Sequence, residues 1–354
     1  MKIQLIGQAN TSGIGNHFDQ YHRALVTVVP DMTISTVDFT QPQALAQAVQ
    51  HNQADDVTIS FVGSNLSQVL QGTCINWAVW ESTRIPTSLR SVFERNLMWV
   101  PSHWAQKIAI ANGLDQDTVA VVPEGVDGQL FYPNLNPKEK KSFRFLTIGK
   151  YESRKNIDTV IQAFQQAFGS DPGVELIIKS DYFKDGEKKR QSLLSLINDY
   201  SCENIHLIWG HYSREAIAEL YRSSDAFVLP TRAEAWGLPI IEAMACGIPV
   251  ITTFYSGQTE FLQHGSSSVI KIPYELIPIT DPEYQGYYPE MDRDYGLWAD
   301  VRAADLAQAM IQTRHDSARY SAEAIKNSTR IREEFSWHNS AVKSLDFLRR
   351  RGVL

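Results

Sequence analysis

Cysteine is scarce in this sequence, with three residues in 354. Cys74, Cys202 and Cys246 are widely separated, without CxxC spacing or a neighbouring His cluster, which argues against a disulfide framework and a thiolate metal centre. Long hydrophobic runs are also lacking. No window reaches the roughly 18 apolar residues of a membrane-spanning helix, and the opening Met1-Lys-Ile-Gln-Leu-Ile-Gly7-Gln8 is too short an apolar run for a secretory signal. The expected location is the cytoplasm. Positive charge is in deficit, 33 Lys and Arg against 40 Asp and Glu for a net charge of -7, which speaks against a nucleic-acid partner. Small basic clusters at Lys138, Lys140 and Lys141 and at Lys188, Lys189 and Arg190 read as solvated faces. The run Arg349 to Arg351 additionally suits weak contact with the inner face of an anionic membrane. No short-period repeat or low-complexity tract is visible.

What is present is a strand and helix alternation long enough for two cores. Lys2 to Gly7 is a buried-strand run, followed by a loop through Gly13 and Gly15 and a helix with Phe18, Tyr21, His22 and Leu25 at helical spacing. Val57–Val62, Thr73–Val79, Leu97–Val100 and Thr118–Val122 continue the series. Tyr132 to Ser142 is polar, proline-bearing and without period, and reads as a linker. The pattern then restarts with Phe143–Gly149, a loop over Lys150–Asn156 and a helix whose Ile157, Val160, Ile161, Phe164 and Phe168 hold one face. Further strands are expected at Val174–Ile178, Ile205–Trp209, Ala226–Leu229 and Pro249–Thr252. The stretch from Ile272 to about Val301 reads as an insertion, and closing helices are expected at about Ala303–Arg314 and Trp337–Arg351. The fold class is therefore α/β, with two Rossmann-like doubly wound parallel-sheet domains, residues 1–135 and 142–335.

The most informative segment is Thr231-Arg-Ala-Glu234-Ala-Trp-Gly237-Leu-Pro239-Ile-Ile-Glu242-Ala-Met-Ala-Cys-Gly247. Pro239 suits the first position of a helix and Gly247 the residue past its end, so Leu238 is expected as the cap. The N–H groups around Gly237, Leu238 and Ile240 would then face a phosphate. Glu242, one turn in, can accept from the two hydroxyls of a ribose, and Glu234 can meet a sugar. Gly149 and the loop to Arg154 and Lys155 place two cations beyond the carboxyl end of a strand, where open parallel sheets bind ligands; the alternative is an exposed loop with ordinary surface cations. Trp209 to Tyr212 is expected to line the base pocket. Gly13 and Gly15 serve either a phosphate or only a tight turn, and the lack of a third glycine at Phe18 argues against a dinucleotide fingerprint. Trp77, Trp80, Glu81 and Arg84 offer either an aromatic floor for a sugar or a half-buried Trp pair beside a surface ion pair. The acid pairs Asp115/Asp117 and Asp292/Asp294 read as loop or cap residues, so no cofactor and no divalent metal is expected. His17, His22, His103 and His211 lie near strand ends or glycine loops and read as structural or surface residues.

These residues together resemble family 4 of the retaining glycosyltransferases, of the GT-B architecture in which two Rossmann-like domains face each other across a cleft. The likeness rests on Ser12-Gly13-Ile-Gly15, Trp99-Val-Pro-Ser102, Val122-Pro-Glu-Gly125-Val-Asp127, Gly149 with Arg154-Lys155-Asn156, and Glu234 to Glu242 with the residues behind it. The resemblance implies that Arg154 and Lys155 bind the diphosphate of a nucleoside diphosphate sugar, Glu242 its ribose and Glu234 the transferred sugar. The Gly13 loop would supply a phosphate contact from the other domain. It implies an acceptor domain completed by a last helix over 336–354, a UDP- or GDP-linked donor, and a saccharide, lipid-linked or protein hydroxyl as acceptor. One departure stands out: many members carry a His where this chain has Trp80-Glu81, so Glu81 is the candidate for that polar contact. A nucleotide-sugar epimerase of the same fold and a non-catalytic sugar-nucleotide-binding subunit are the competing readings.

Overall fold

The structure is a computed structural model, and it describes all residues except 1, 11, 62–68, 95, 137–139, 183–184 and 292–293. It divides into two compact units. The first comprises Met1–Gly125, Ile279–Gly296 and Phe335–Leu354, and the second Val126–Pro278 and Leu297–Glu334.

The sheet of the first unit contains β1 (Ile3–Gly7), β2 (Ile34–Asp38), β3 (Val57–Ser60), β4 (Thr73–Trp77), β5 (Leu97–Val100) and β6 (Val119–Val121), in the order β2-β1-β3-β4-β5-β6. Every neighbouring pair is parallel. The order reverses between β1 and β3, so the loop after β1 stands at a topological switch point. The helix Trp337–Arg350 belongs to this unit: Tyr21 and Ser344 share a buried hydrogen bond of 2.7 Å, and Ser340 Oγ donates to the Pro123 carbonyl at 2.6 Å. Gly125 permits that packing, because a Cβ there would lie 2.4 Å from the Trp337 nitrogen.

The second unit repeats the design with β7 (Phe143–Ile148), β8 (Val174–Ser180), β9 (Ile205–Trp209), β10 (Ala226–Leu229), β11 (Val250–Thr253) and β12 (Val269–Ile272), ordered β12-β11-β10-β7-β8-β9 and parallel throughout. Its switch point lies between β7 and β10. The helix Ile157–Phe168 buries Ile157, Val160, Ile161, Ala163 and Phe164, the helical spacing visible in the sequence, into a core that includes Phe145, Leu176, Ile178, Leu306 and Met310. Each large side chain so buried is worth about 1.5 to 3 kcal/mol.

The insertion is more ordered than expected. β13 (Glu275–Pro278) and β14 (Leu297–Asp300) form an antiparallel pair, and between them the chain joins the first unit. That excursion carries the helix Pro282–Tyr287 and is closed by the Ile279 N–H donating to the Gly296 carbonyl at 3.0 Å. Within the first unit Ser82 Oγ donates to the Tyr295 carbonyl, Arg84 pairs with Asp294 at 2.7 Å, and Ser88 donates to Glu290 at 2.6 Å. The compact units also part at Gly125, ahead of the expected boundary at 135: Phe131 is buried against Tyr221 of the second unit. A helix over Ser317–Glu334 went unanticipated, because its buried face is carried by Tyr320, Ala324, Ser328 and Ile331, two of them small.

Candidate active site

The two loops that flank the second switch point come together. After β7, Gly149 leaves room for the Lys155 stem, whose Cγ would lie 3.3 Å from a Cβ at 149. A 3-10 turn over Ser153–Lys155 ends at Asn156, in left-handed conformation with φ 59 and ψ 37. Asparagine tolerates that region better than most residues. Its amide donates to the Pro230 carbonyl at 3.3 Å, and its oxygen accepts from Thr159 Oγ1 at 2.7 Å, which pins the loop to the end of β10.

The loop after β10 supplies the partner. Glu234 Oε1 accepts from Lys155 Nζ at 2.6 Å and from Thr231 Oγ1 at 2.8 Å, while Oε2 accepts from Arg154 at 2.9 Å. Arg154 also donates to the Ala233 carbonyl at 2.7 Å and to Glu152 at 2.6 Å. The side chains of Lys155 and Glu234 are only 9% and 6% exposed, that of Arg154 14%. Burial alone would raise the Glu234 carboxyl, but the charges of Lys155 and Arg154 and the hydrogen bonds from Lys155 and Thr231 outweigh it and hold the group at about 2. The carboxylate therefore stays ionised while it orients two cations.

A third strand end props this cluster. Ser256, with φ 63, accepts from the Glu234 N–H at 2.8 Å, and the Gly257 N–H donates to the Glu234 carbonyl at 2.9 Å. Thr253 Oγ1 donates to the Thr231 carbonyl at 2.6 Å. Sequence reasoning missed Thr231, Ser256 and Gly257; the signal available was a Ser-Gly pair just beyond the strand that ends at Thr253.

The helix after Glu234 runs over Leu238–Ala245, and its cap is Gly237, with φ 106 and ψ 56, one residue before the expected Leu238. The left-handed conformation explains the shift, since Leu would be strained at the turn that glycine makes freely. Pro239 sits in the first turn and Gly247, with φ 68, lies just past the end. Ile240 was expected to present a free N–H, but it donates to the Gly237 carbonyl at 3.0 Å. The N–H groups of Gly237 and Leu238 take no partner among the described residues. Glu242 Oε2 accepts from the Tyr221 hydroxyl at 3.2 Å. Burial pushes its carboxyl up to about 7, against the opposing pull of Arg214 and the Tyr221 hydrogen bond. Tyr212 stands apart, 47% exposed beyond β9, with Lys179 Nζ 6.0 Å from its ring centre.

The first unit places its candidates less closely. Gly13 and Gly15 lie in the first turn of the helix Gly13–Val28, where Ser12 Oγ accepts from the Gly15 N–H at 3.1 Å. A Cβ at Gly15 would lie 2.2 Å from Asn10 Oδ1, whereas one at Gly13 meets nothing within 4 Å. The aromatic floor is not formed. Trp77 is buried in a core cluster with His17, Tyr21 and Trp99, and the buried Trp80 donates its indole N–H to the Arg84 carbonyl at 2.7 Å. Arg84 is turned to Asp294 instead. Glu81 is half-buried beside Tyr288, whose hydroxyl is pushed up to about 12 by burial and then by the Glu81 charge. Burial holds the His17 ring well below its usual range, at about 3, and neutral; His103 and His211 are exposed, and His22 is half-buried. Asp115 caps the turn Gln116–Thr118 by accepting from the Asp117 N–H at 2.9 Å, and Asp292 lies outside the described residues.

Residues 130–276 match the family described as glycosyl transferases group 1. D-inositol 3-phosphate glycosyltransferase of Paenarthrobacter aurescens is 25% identical over 252 residues, 69% of this chain and 55% of that protein. A probable sucrose-phosphate synthase of Thermosipho melanesiensis is 25% identical over 248 residues, 68% of this chain and 49% of that protein. The chain thus spans about half the length of these curated relatives. Among solved structures, HepE of Anabaena in complex with UDP superposes with a TM-score of 0.73 at 16% identity, covering 99% of this chain and 100% of that one. Sucrose-phosphate synthase from Thermosynechococcus elongatus gives 0.72 at 17% identity, covering 99% and 98%. These likenesses establish the fold as GT-B. The family match lies over the segments that bring Arg154, Lys155, Glu234 and Glu242 to the ends of one parallel sheet, and over that part the chain is similar to the group 1 glycosyl transferases.

Proposed function

We propose that the chain transfers a hexose from a nucleoside diphosphate sugar to a hydroxyl acceptor, with retention at the anomeric carbon and without a divalent metal. The observation that carries this reading is the buried cluster of Lys155, Arg154 and Glu234 at the second switch point. Lys155 has three N–H donors and Glu234 engages one, so the ammonium can still meet a phosphate oxygen. Charge that develops on the departing diphosphate is then met by Lys155, by the Arg154 guanidinium and by the N–H groups of Gly237 and Leu238. Glu234 keeps both cations in place and offers the transferred sugar a hydrogen-bond acceptor, and Glu242 takes the ribose. HepE of Anabaena has been solved with UDP and with UDP-glucose, which supports a UDP-linked donor, with GDP as the other candidate. The acceptor is a saccharide, lipid-linked or protein hydroxyl, reached in the cytoplasm or at the inner face of a membrane, in polysaccharide or glycolipid synthesis. Among the described residues no helix is long and apolar enough to cross a membrane.

The reading is tested by release of free nucleotide from UDP- and GDP-sugars. The expected result is slow release of UDP or GDP without acceptor, unchanged by EDTA, with a product that keeps the anomeric configuration of the donor by NMR. Loss of release in EDTA overturns metal independence, and an inverted product overturns retention.

A further inference from the structure

Tyr221 carries a buried hydroxyl beside Glu242. The residue lies on the helix Arg214–Arg222 and is fully buried, its ring 5.9 Å from that of Phe131 and 5.5 Å from that of Phe227. Phenylalanine would serve such packing alone; a tyrosine brings a polar tip that needs a partner. The hydroxyl lies 2.9 Å from the Pro239 carbonyl oxygen and 3.2 Å from Glu242 Oε2, so it joins its own helix to the first turn and the carboxylate of the helix Leu238–Ala245. One hydroxyl proton cannot serve both acceptors in full. With Glu242 ionised it turns toward Oε2; with Glu242 protonated it donates to the Pro239 carbonyl and accepts from the carboxyl. Either way Oε2 is held, and Oε1, which takes no hydrogen bond among the described residues, is left for a ligand.

We propose that Tyr221 is a positioning residue for donor recognition, fixing the Glu242 carboxylate so that its free oxygen meets the hydroxyls of the donor ribose. This rests on the nucleotide-sugar reading above. The charged and titratable groups around Glu242 are Tyr221 and Arg214 from one helix, Asp127 from the segment before β7, and Cys246 at the end of its own helix. Arg214 is itself drawn to Asp127, 3.5 Å away. Burial raises the carboxyl, Arg214 and the Tyr221 hydrogen bond lower it, and Asp127 raises it. Deleting the hydroxyl removes one of the lowering influences, so the ionisation moves to higher pH.

The test is calorimetric binding of UDP, GDP and their 2′-deoxy counterparts over roughly pH 6 to 9, in the wild type, Tyr221→Phe and Glu242→Gln. The ratio of ribose to deoxyribose affinity cancels the titration of the phosphates. The wild type should prefer the ribonucleotide by about tenfold at the alkaline end, and less at the acid end. Tyr221→Phe should cut the preference to about threefold and move its rise to higher pH, and Glu242→Gln should remove the pH dependence. A Tyr221→Phe protein with wild-type preference and profile overturns the positioning role and leaves the nucleotide-sugar reading intact. Wild-type protein that binds neither UDP nor GDP overturns both. An independent reading comes from wild-type protein labelled with carbon-13: the Glu242 carboxyl and the Tyr221 ring carbon bearing the hydroxyl should titrate in one step, and a Tyr221 signal insensitive to that step contradicts the proposal.

Discussion

Lys155→Ala should lower turnover by about a hundredfold or more while leaving the fold intact. A preorganised group aimed at charge developing in the transition state commonly contributes about 3 to 4 kcal/mol to the barrier, and about 1.4 kcal/mol is a factor of ten. On the proposed function Lys155 is such a group: its Nζ is held at 2.6 Å by Glu234 and its stem lies over Gly149. The variant leaves Glu234 with Arg154 and Thr231 as partners, so the buried carboxylate is not stranded, and the stability loss should be smaller than the about 3 to 5 kcal/mol of a fully broken buried pair. Acid unfolding offers a second readout. The Glu234 carboxyl is depressed from 4.5 to about 2, so its contribution is present above 4.5 and is lost as pH falls through that window. Removing Lys155 raises the folded value and flattens this part of the curve. Lys155→Arg should recover activity only in part, because a planar fork does not replace a compact ammonium held by one carboxylate oxygen. Turnover within threefold of wild type in Lys155→Ala contradicts the assignment.

Gly257→Ala is the second large effect. A Cβ there would lie 1.8 Å from the Ala235 carbonyl oxygen, 2.4 Å from its carbon and 2.8 Å from the Glu234 oxygen. These are backbone atoms with no rotamer to yield, and the Gly257 N–H is also what holds the Glu234 carbonyl. The segment carrying Glu234 must therefore move. Overpacking of this kind costs about 1 to 3 kcal/mol, which for a domain of this size lowers the melting temperature by several degrees. A displacement of about 1 Å at Glu234 costs about another hundredfold in turnover. Gly186→Ala is the control: it opens the helix Gly186–Asp199, and a Cβ there meets nothing within 4 Å, so stability should hold or rise slightly. Equal melting temperatures and rates for the two variants contradict the role given to Gly257.

Much of this site was legible from local rules. Pro239 and Gly247 marked the ends of one helix, and Gly149 with Arg154 and Lys155 marked the loop beyond the carboxyl end of a strand, the place where open parallel sheets bind ligands. The cap was misplaced by one residue because a left-handed glycine can precede the first turn as readily as a leucine can, and only φ decides. The pairing of Glu234 with Lys155 and Arg154 joins positions 79 and 80 residues apart, and no local pattern shows it. Trp77 and Trp80 leave a sugar floor and a half-buried pair equally open in the sequence, because an indole run at a strand end looks alike whether it faces solvent or core. The excursion over 279–296 has the composition of a loop, and its place in the first unit depends on distant contacts from Ser82, Arg84 and Ser88.

On the proposed function the second domain holds a nucleotide-sugar donor on Lys155, Arg154 and the Glu234 to Glu242 segment. Thermal unfolding against UDP-, GDP-, ADP- and TDP-sugars tests it most directly. At about a hundred times its dissociation constant the correct donor adds about 2.7 kcal/mol of stability. One of these donors should raise the melting temperature of the wild type by several degrees and leave Lys155→Ala nearly unmoved; no shift with any of them, or an equal shift in both proteins, contradicts the account.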